Sequence, residues 1–218
     1  MISLNNVRSF LVTVLAAVAA QSWATGQAWA QAQPVSIFIT RHAEYDTSDF
    51  SLTAAGRQRA ELLAQTLRGV KFTHIFASHT TRTRQMVERI ASTHGLAVTQ
   101  LPVPGSILNG QTVTDDTNRR APIEPIAAAL LKLPAGSVVL AALNSENIFA
   151  ILNRLGVPVA PTGQSCAPGS MCVPCTNNSC YPRTDFELLW HIVREPGRVE
   201  PLAFVELRYG AGWRASDR

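Results

Sequence analysis

VSIFITRHAE, residues 35–44, joins an apolar, β-branched run to a charged tetrapeptide. The run Val35–Thr40 predicts a buried strand, which puts Arg41 and His42 at its carboxyl end. Ligands of open α/β sheets bind at the carboxyl ends of the strands. An imidazole there can attack phosphorus and carry the phosphoryl group, and a guanidinium can bind phosphoryl oxygens in a planar fork. An Arg-His pair also occurs in purely structural settings, so the rest of the chain has to show whether this pair has a catalytic role.

The rest of the chain alternates predicted strands with predicted helices. Strands are predicted over Thr73–Ala77, Ala97–Leu101, Ser137–Leu143, Phe186–Val193 and Leu202–Leu207. Helices are predicted from an N-cap at Thr53 to Gly69, from Thr80 or Thr81 to His94 with Gly95 as terminator, from Ile123 to Leu133, and from Asn144 to Leu155. Residues 102–121 form a Pro/Gly-rich loop. This alternation predicts a three-layer α/β/α sandwich with a mainly parallel central sheet.

The first thirty residues predict a signal peptide. Arg8 is the charged residue of the first ten, and the apolar run Leu11–Ala20 is too short to span a bilayer. Ala28-Trp29-Ala30 supplies a small-x-small cleavage pattern, so the mature chain is expected to start near Gln31. An uncleaved anchor helix is the alternative. Residues 31–218 then form one domain without a stable membrane span, in a periplasm or outside the cell.

Arginine dominates the positive charge of the chain. Its formal net charge is +4, and of 19 basic residues two are lysines, Lys71 and Lys132. Arginine suits bidentate recognition of phosphate or carboxylate. The arginines are dispersed, with no basic run and no interleaving of basic and aromatic residues, which favours small anionic ligands over nucleic acid. The oligomeric state is left open.

Residues 157–182 predict a Cys-rich insertion. This segment contains Pro, Gly, Ser and Asn together with all four cysteines, namely Cys166, Cys172, Cys175 and Cys180. In an oxidising compartment, four close cysteines favour two disulfides that staple a loop without a core of its own. A zinc site and a redox pair at Cys172 and Cys175 are the alternatives. Three disulfide pairings are possible, and the sequence does not choose among them.

A second basic group begins at the predicted end of the second strand. Ser78-His79-Thr80-Thr81-Arg82-Thr83-Arg84-Gln85 runs from that strand into a helix. A helix start favours an anion, and an arginine in the first turn can close on it. We therefore predict that Arg82 and Arg41 form two jaws of a phosphate clamp.

These stretches resemble the histidine phosphatase superfamily, which has the phosphoglycerate-mutase-like fold. Arg41-His42-Ala43-Glu44 resembles the family pattern R-H-G-E, and Leu52–Ala60 resembles L-T-x-x-G-x-x-Q-A. Ser78–Gln85 resembles S-P-x-x-R-A-x-Q-T, and Leu207–Gly210 is similar to the end of small members. Order and spacing match. The resemblance covers roughly residues 35–156 and the last strand, so the Cys-rich segment stands as an insertion.

The resemblance implies phosphoryl transfer through a phosphohistidine. His42 would be the nucleophile, and Arg41 and Arg82 would bind the phosphoryl oxygens. The substrate would be a small phosphorylated molecule or a surface-attached phosphomonoester. A carboxylic acid would protonate the leaving oxygen: Asp115 or Asp116, in the loop where family members more often carry the acid, or Glu44, with Glu146 as a further option. Neither a metal nor an organic cofactor is expected.

One position departs from the family pattern. Small members have a second His after the fourth strand, and an ungapped alignment puts Asn144 there. An Asn amide can donate a neutral hydrogen bond to phosphate, but it cannot be cationic or shuttle a proton. Asn is also a favoured N-cap residue, so Asn144 has a structural reading that is compatible with phosphate binding. His79, where the family often has Pro, is a candidate replacement for the lost imidazole.

Three functions remain open at this point. The first is an exported phosphatase of reduced activity, which Arg41, His42 and Arg82 favour. The second is a pseudophosphatase that binds phosphorylated ligands without turnover, which Asn144 favours. The third is a non-enzymatic protein whose Cys-rich loop contacts partners.

Overall fold

The computed structural model describes residues 33–102, 107–108, 111–112, 123–157, 186–198 and 200–210. All described elements belong to one unit, which begins at Pro34. The predicted signal peptide, the four cysteines, Asp115 and Asp116 lie outside the described residues. None of the described helices is long and apolar enough to cross a membrane.

Six of the described strands form a central sheet. They are β1 (Val35–Arg41), β2 (His74–Ala77), β3 (Val98–Gln100), β6 (Val138–Leu143), β7 (Leu188–Arg194) and β8 (Ala203–Arg208). Two short strands pair with each other within the predicted 102–121 loop, β4 (Ile107–Leu108) and β5 (Gln111–Thr112). The described helices are α1 (Ala54–Thr66), α2 (Thr81–His94), α3 (Glu124–Leu131) and α4 (Ser145–Arg154).

The central sheet is mixed, with strand order β3-β2-β6-β1-β7-β8. The four strands from β3 to β1 are parallel, whereas β7 and β8 are antiparallel to their neighbours. The prediction of a mainly parallel sheet is therefore confirmed, with two antiparallel strands, β7 and β8, at one edge of the sheet. Only a few residues, between Arg194 and Ala203, join β7 to β8. That length is enough for the turn of an antiparallel hairpin but too short for the crossover that parallel neighbours need.

Helices cover both faces of the sheet. Along β1, Ile37 and Ile39 belong to one buried cluster and Phe38 to the other, which is the period-2 alternation of a strand. The first cluster contains apolar residues of α3 and α4, and the second contains those of α1 and α2. The predicted three-layer α/β/α arrangement is thereby confirmed.

Helix ends follow the predicted signals at most positions. Thr53 caps α1, since its hydroxyl accepts a hydrogen bond from the Gly56 N–H at 3.1 Å. Gly95 ends α2 in the left-handed conformation, with φ +65°. The prediction that α1 extends to Gly69 is wrong, because the helix ends at Thr66 and Gly69 belongs to the turn that follows.

Candidate active site

The parallel strands bring three chain segments to one edge of the sheet. In the order β2-β6-β1, the His42 N–H donates to the Leu143 carbonyl at 3.2 Å, and the Ser78 N–H donates to the Ala142 carbonyl at 2.9 Å. The residues that follow these strands therefore meet at their carboxyl ends, where α/β proteins bind ligands. Arg41-His42, Ser78-His79-Thr80 and Asn144 are brought together in this way.

His42 is held in one orientation. Its Nδ1 lies 2.8 Å from the Ala43 carbonyl oxygen, and because a carbonyl can only accept, Nδ1 carries the proton. The lone pair of the neutral ring is then on Nε2, the nitrogen that a nucleophilic role requires. The ring packs edge-on against Tyr45 with centroids 5.2 Å apart, and its centroid lies 6.4 Å from that of Phe186.

Both predicted clamp arginines are buried, and each lies over one of these two rings. The Arg41 guanidinium carbon is 4.2 Å from the Phe186 centroid, and that of Arg82 is 4.6 Å from the Tyr45 centroid. Arg82 is only 1% exposed. Both distances are within the range of cation–π attraction. Tyr45 and Phe186 therefore connect the nucleophile to the two arginines.

Asn144 is held by a network of buried hydroxyl groups. Thr80 Oγ1 donates to Asn144 Oδ1 at 3.1 Å, and Thr83 Oγ1 links Thr80 to Ser78. Asn144 occupies the N-cap position of α4, but its side chain makes no capping hydrogen bond. Its Nδ2, together with that of Asn147, is buried without a hydrogen-bond partner. A buried unpaired donor costs about 1–3 kcal/mol, so an acceptor bound at these amides would be stabilising.

Glu44 is part of an ion-pair network around Arg59. Arg59 donates to Glu44 Oε1 at 2.7 Å and to Glu187 Oε1 at 2.7 Å. Burial alone would raise the pKa of Glu44, but the hydrogen bonds from Arg59, with the charges of Arg59 and Arg41, hold that pKa below its ordinary value. A carboxyl group with a lowered pKa is ionised at neutral pH, so this arrangement favours a structural role for Glu44 over proton donation.

Several motif residues hold the site in place rather than face it. A Cβ at position 56 would lie 2.1 Å from the Glu44 carbonyl oxygen, so only glycine lets α1 approach the tetrapeptide this closely. The Thr53 N–H donates to the same carbonyl at 3.0 Å. The Gln85 side chain accepts from the Leu52 N–H at 2.7 Å, which ties α2 to the start of α1.

His79 and Glu146 are the other predicted site residues within the described ranges. His79 is buried just after β2, and its neighbours in the chain, Ser78 and Thr80, both belong to the hydroxyl network. Glu146 lies in the first turn of α4, with its side chain outside the described part. Among the described residues, no group of three or more His, Cys, Asp or Glu side chains could hold a metal ion.

Sequence reasoning missed five residues of the site region. Tyr45, Phe186, Arg59, Glu187 and Tyr209 all contact predicted site residues or support such contacts. Two of them lie in stretches that resemble family motifs, Arg59 in Leu52–Ala60 and Tyr209 in Leu207–Gly210. The Tyr209 hydroxyl donates to the Phe186 carbonyl at 2.9 Å. Phe186 and Glu187 become recognisable only through spatial proximity, because they are far from His42 in the chain.

Comparisons with known proteins concern the family and the fold. Residues 37–103 match the family model "Histidine phosphatase superfamily (branch 1)". No curated protein matches the sequence significantly. The fold is similar to that of the protein histidine phosphatase SixA in complex with tungstate, at TM-score 0.52 and 16% identity over 79% of this chain and 96% of that one.

Two further solved structures are more distant in geometry. Phosphoserine phosphatase from Entamoeba histolytica, in complex with 3-phosphoglyceric acid, gives TM-score 0.45 and 15% identity over 78% of this chain and 96% of that one. A putative phosphohistidine phosphatase SixA from Nakamurella multipartitia gives TM-score 0.44 and 16% identity over 80% and 97%. Residues 37–103 thus match the family model, and the fold as a whole is similar to that of SixA.

Proposed function

We propose that this protein is a phosphatase that hydrolyses a phosphomonoester through a phosphohistidine on His42. The observation that carries the proposal is the fixed imidazole at the end of β1. Its Nδ1 is bound to the Ala43 carbonyl, and its two ring neighbours each support a buried arginine. An oriented nucleophile beside two guanidinium groups is what attack on a phosphoryl group requires.

The reaction balances in two steps. His42 Nε2 attacks phosphorus, so that a P–N bond forms while the P–O bond to the leaving group breaks and the leaving oxygen takes a proton from a carboxylic acid. Water then attacks the phosphohistidine and gives a proton to the carboxylate formed in the first step, the P–N bond breaks, and inorganic phosphate leaves. Arg41 and Arg82 balance the charge on the phosphoryl oxygens in both steps. Asp115 or Asp116 is the proposed acid, since Glu44 is engaged with Arg59.

Reduced activity is part of the proposal. Asn144 offers a neutral amide where small family members carry the second His, and its buried Nδ2 fits donation to a phosphoryl oxygen. A neutral amide supplies neither the positive charge nor the proton transfer of an imidazolium. Loss of one such group costs on the order of 10²–10³ in rate.

We further propose that the protein acts outside the cytoplasm. The pattern of residues 1–30 supports cleavage near Gln31, and four cysteines within residues 157–182 fit two disulfides in an oxidising compartment. The substrate is a small phosphorylated molecule or a phosphomonoester on a surface. The similarity in fold to the protein histidine phosphatase SixA supports a phosphorylated substrate without identifying it.

A pseudophosphatase is the second candidate, and Asn144 is the observation that favours it. Such a protein would keep the two arginines and bind phosphorylated ligands without hydrolysis. The third candidate is a non-enzymatic protein whose Cys-rich segment binds partners.

The test is hydrolysis of 4-nitrophenyl phosphate by the mature, oxidised chain across roughly pH 4 to 8. His42→Ala should remove the activity, and His74→Ala is the matched control because His74 begins β2, at the opposite end of the sheet. Acid-labile, base-stable phosphorylation of the wild-type chain should accompany turnover. Hydrolysis that survives His42→Ala would disprove the phosphohistidine route, and phosphate binding without hydrolysis would favour the pseudophosphatase.

A further inference from the structure

We infer that Tyr45 and Phe186 are positioning residues of the phosphate clamp, each holding one clamp arginine at a fixed distance from His42. The inference rests on the proposed function, because it concerns the same site, and it adds two residues that no motif assigns. Each ring contacts both His42 and one arginine, Tyr45 with Arg82 and Phe186 with Arg41.

The physical reason lies in the flexibility of arginine. An arginine side chain loses up to about 2 kcal/mol of rotamer entropy when it is ordered. A guanidinium that already lies against an aromatic face loses less when phosphate binds, because the ring restricts its plane beforehand. The planar fork can then meet phosphoryl oxygens with two parallel hydrogen bonds. Two supported arginines thus bind phosphate more tightly than two mobile ones.

Tyr45 is itself held by its surroundings. It forms an isolated antiparallel bridge with Leu52, and the Asp46 N–H donates to the Ser51 carbonyl at 2.9 Å. Phe50 stacks on the Tyr45 ring with centroids 6.4 Å apart and takes a positive φ of 59°. A bulky residue in that region is strained, and such strain persists only where surrounding contacts enforce it. The loop between Tyr45 and Leu52 therefore keeps the ring against Arg82.

Phe186 is held from the far end of the chain. The Tyr209 hydroxyl donates to its carbonyl, and the Tyr209 N–H donates to the Glu187 carbonyl at 3.0 Å. Burial raises the pKa of Tyr209 well above its ordinary value, so this hydroxyl keeps its proton throughout the assay range. The Glu187 carboxylate pairs with Arg59, and Gly210 leaves it room, since a Cβ there would lie 2.8 Å from Oε1. These contacts fix the Phe186 ring against which the Arg41 guanidinium lies.

The test measures inorganic phosphate binding to the mature, oxidised chain by calorimetry, alongside hydrolysis of 4-nitrophenyl phosphate. Tyr45→Leu and Phe186→Leu should each weaken phosphate binding by about three- to thirtyfold, the range expected for loss of one cation–π contact. Tyr45→Phe and Phe186→Tyr keep an aromatic face and should bind phosphate as the wild type does. Phe204→Leu, which removes a half-buried ring from β8, is the control for packing effects.

The outcomes separate the inference from the proposed function. Leu variants that bind phosphate like the wild type overturn the inference, even if the wild type is an active phosphatase. Equal weakening in Phe204→Leu, failure of the conservative variants to restore binding, or a wild type that binds no phosphate also overturns it. If the wild type binds phosphate without hydrolysing the ester and both Leu variants bind it more weakly, the inference stands and the proposed function falls.

Discussion

The two rims of the candidate site differ in charge and in the kind of polar group that they carry. The β1–β2 rim carries His42 and two arginines, and aromatic rings support each arginine. The β6–α4 rim carries Asn144 and Asn147, two buried neutral amides whose Nδ2 atoms have no hydrogen-bond partner. Binding a phosphoryl group and moving a proton are therefore separate capacities of such a site. Under the proposed function, the first rim would bind the phosphoryl group, while the second lacks the imidazole that a fast phosphatase would use.

The largest expected effect comes from placing an imidazole on the β6–α4 rim. Asn144→His should raise kcat for 4-nitrophenyl phosphate by on the order of 10²-fold, because a protonatable ring at this position adds charge and proton transfer. Thr80 Oγ1, which donates to Asn144 Oδ1, can instead accept a hydrogen bond from the protonated ring. Steady-state kinetics measure the gain, with Asn144→Gln as the neutral control. If Asn144→His and Asn144→Gln have the same kcat, the second rim does not limit turnover.

The next effect tests the charged rim by comparing two arginines of one helix. Arg82→Lys should lower kcat/KM by about 10- to 100-fold, since lysine keeps the charge but loses the planar fork and the ring contact. Arg84→Lys is the matched control, because Arg84 is 41% exposed and pairs with Glu88. Kinetics of both variants decide the matter. Similar losses in the two would mean that the position of Arg82 over Tyr45 has no special role.

A smaller effect concerns the support beneath the charged rim. Gly56→Ala should lower the free energy of unfolding by about 1–3 kcal/mol, because the added methyl group would overlap the Glu44 carbonyl and force backbone to shift. Gly69→Ala is the matched control, since a Cβ there meets no atom within 4 Å. Denaturant titration gives both values. Equal stability of the two variants would contradict close packing of α1 on the tetrapeptide.

The smallest effect lies away from both rims. His191 Nε2 is 2.7 Å from Ser36 Oγ, its ring stacks on Phe38, and burial lowers its pKa below 6.5. As the pH falls, His191 is therefore protonated in the unfolded chain before it is protonated in the folded chain. Its contribution to the free energy of unfolding is fully present above pH 6.5 and is lost as the pH falls toward the lowered pKa of the folded chain. His191→Gln should flatten the fall of melting temperature in that window, with His74→Gln as control. An unchanged slope would contradict the assignment.

Much of the fold was readable because local patterns and tertiary structure agree. Thr53 and Gly95 marked helix ends through capping and left-handed backbone, which are local properties. The helix end assigned to Gly69 was wrong because a glycine within a turn leaves the same signal as a terminator. The antiparallel orientation of β7 and β8 could not be predicted, because hydrophobic alternation does not encode strand direction.

The placement of the candidate site residues could be predicted from the sequence. Arg41 and His42 come at the end of one apolar run and Arg82 follows another, and those positions follow from hydrophobic burial and chain order alone. The groups that support them became known only from the folded structure. Tyr45 and Phe186 meet at His42, and Glu44 pairs with Arg59. Contacts between residues far apart in the chain depend on packing geometry, which no local pattern of side chains encodes.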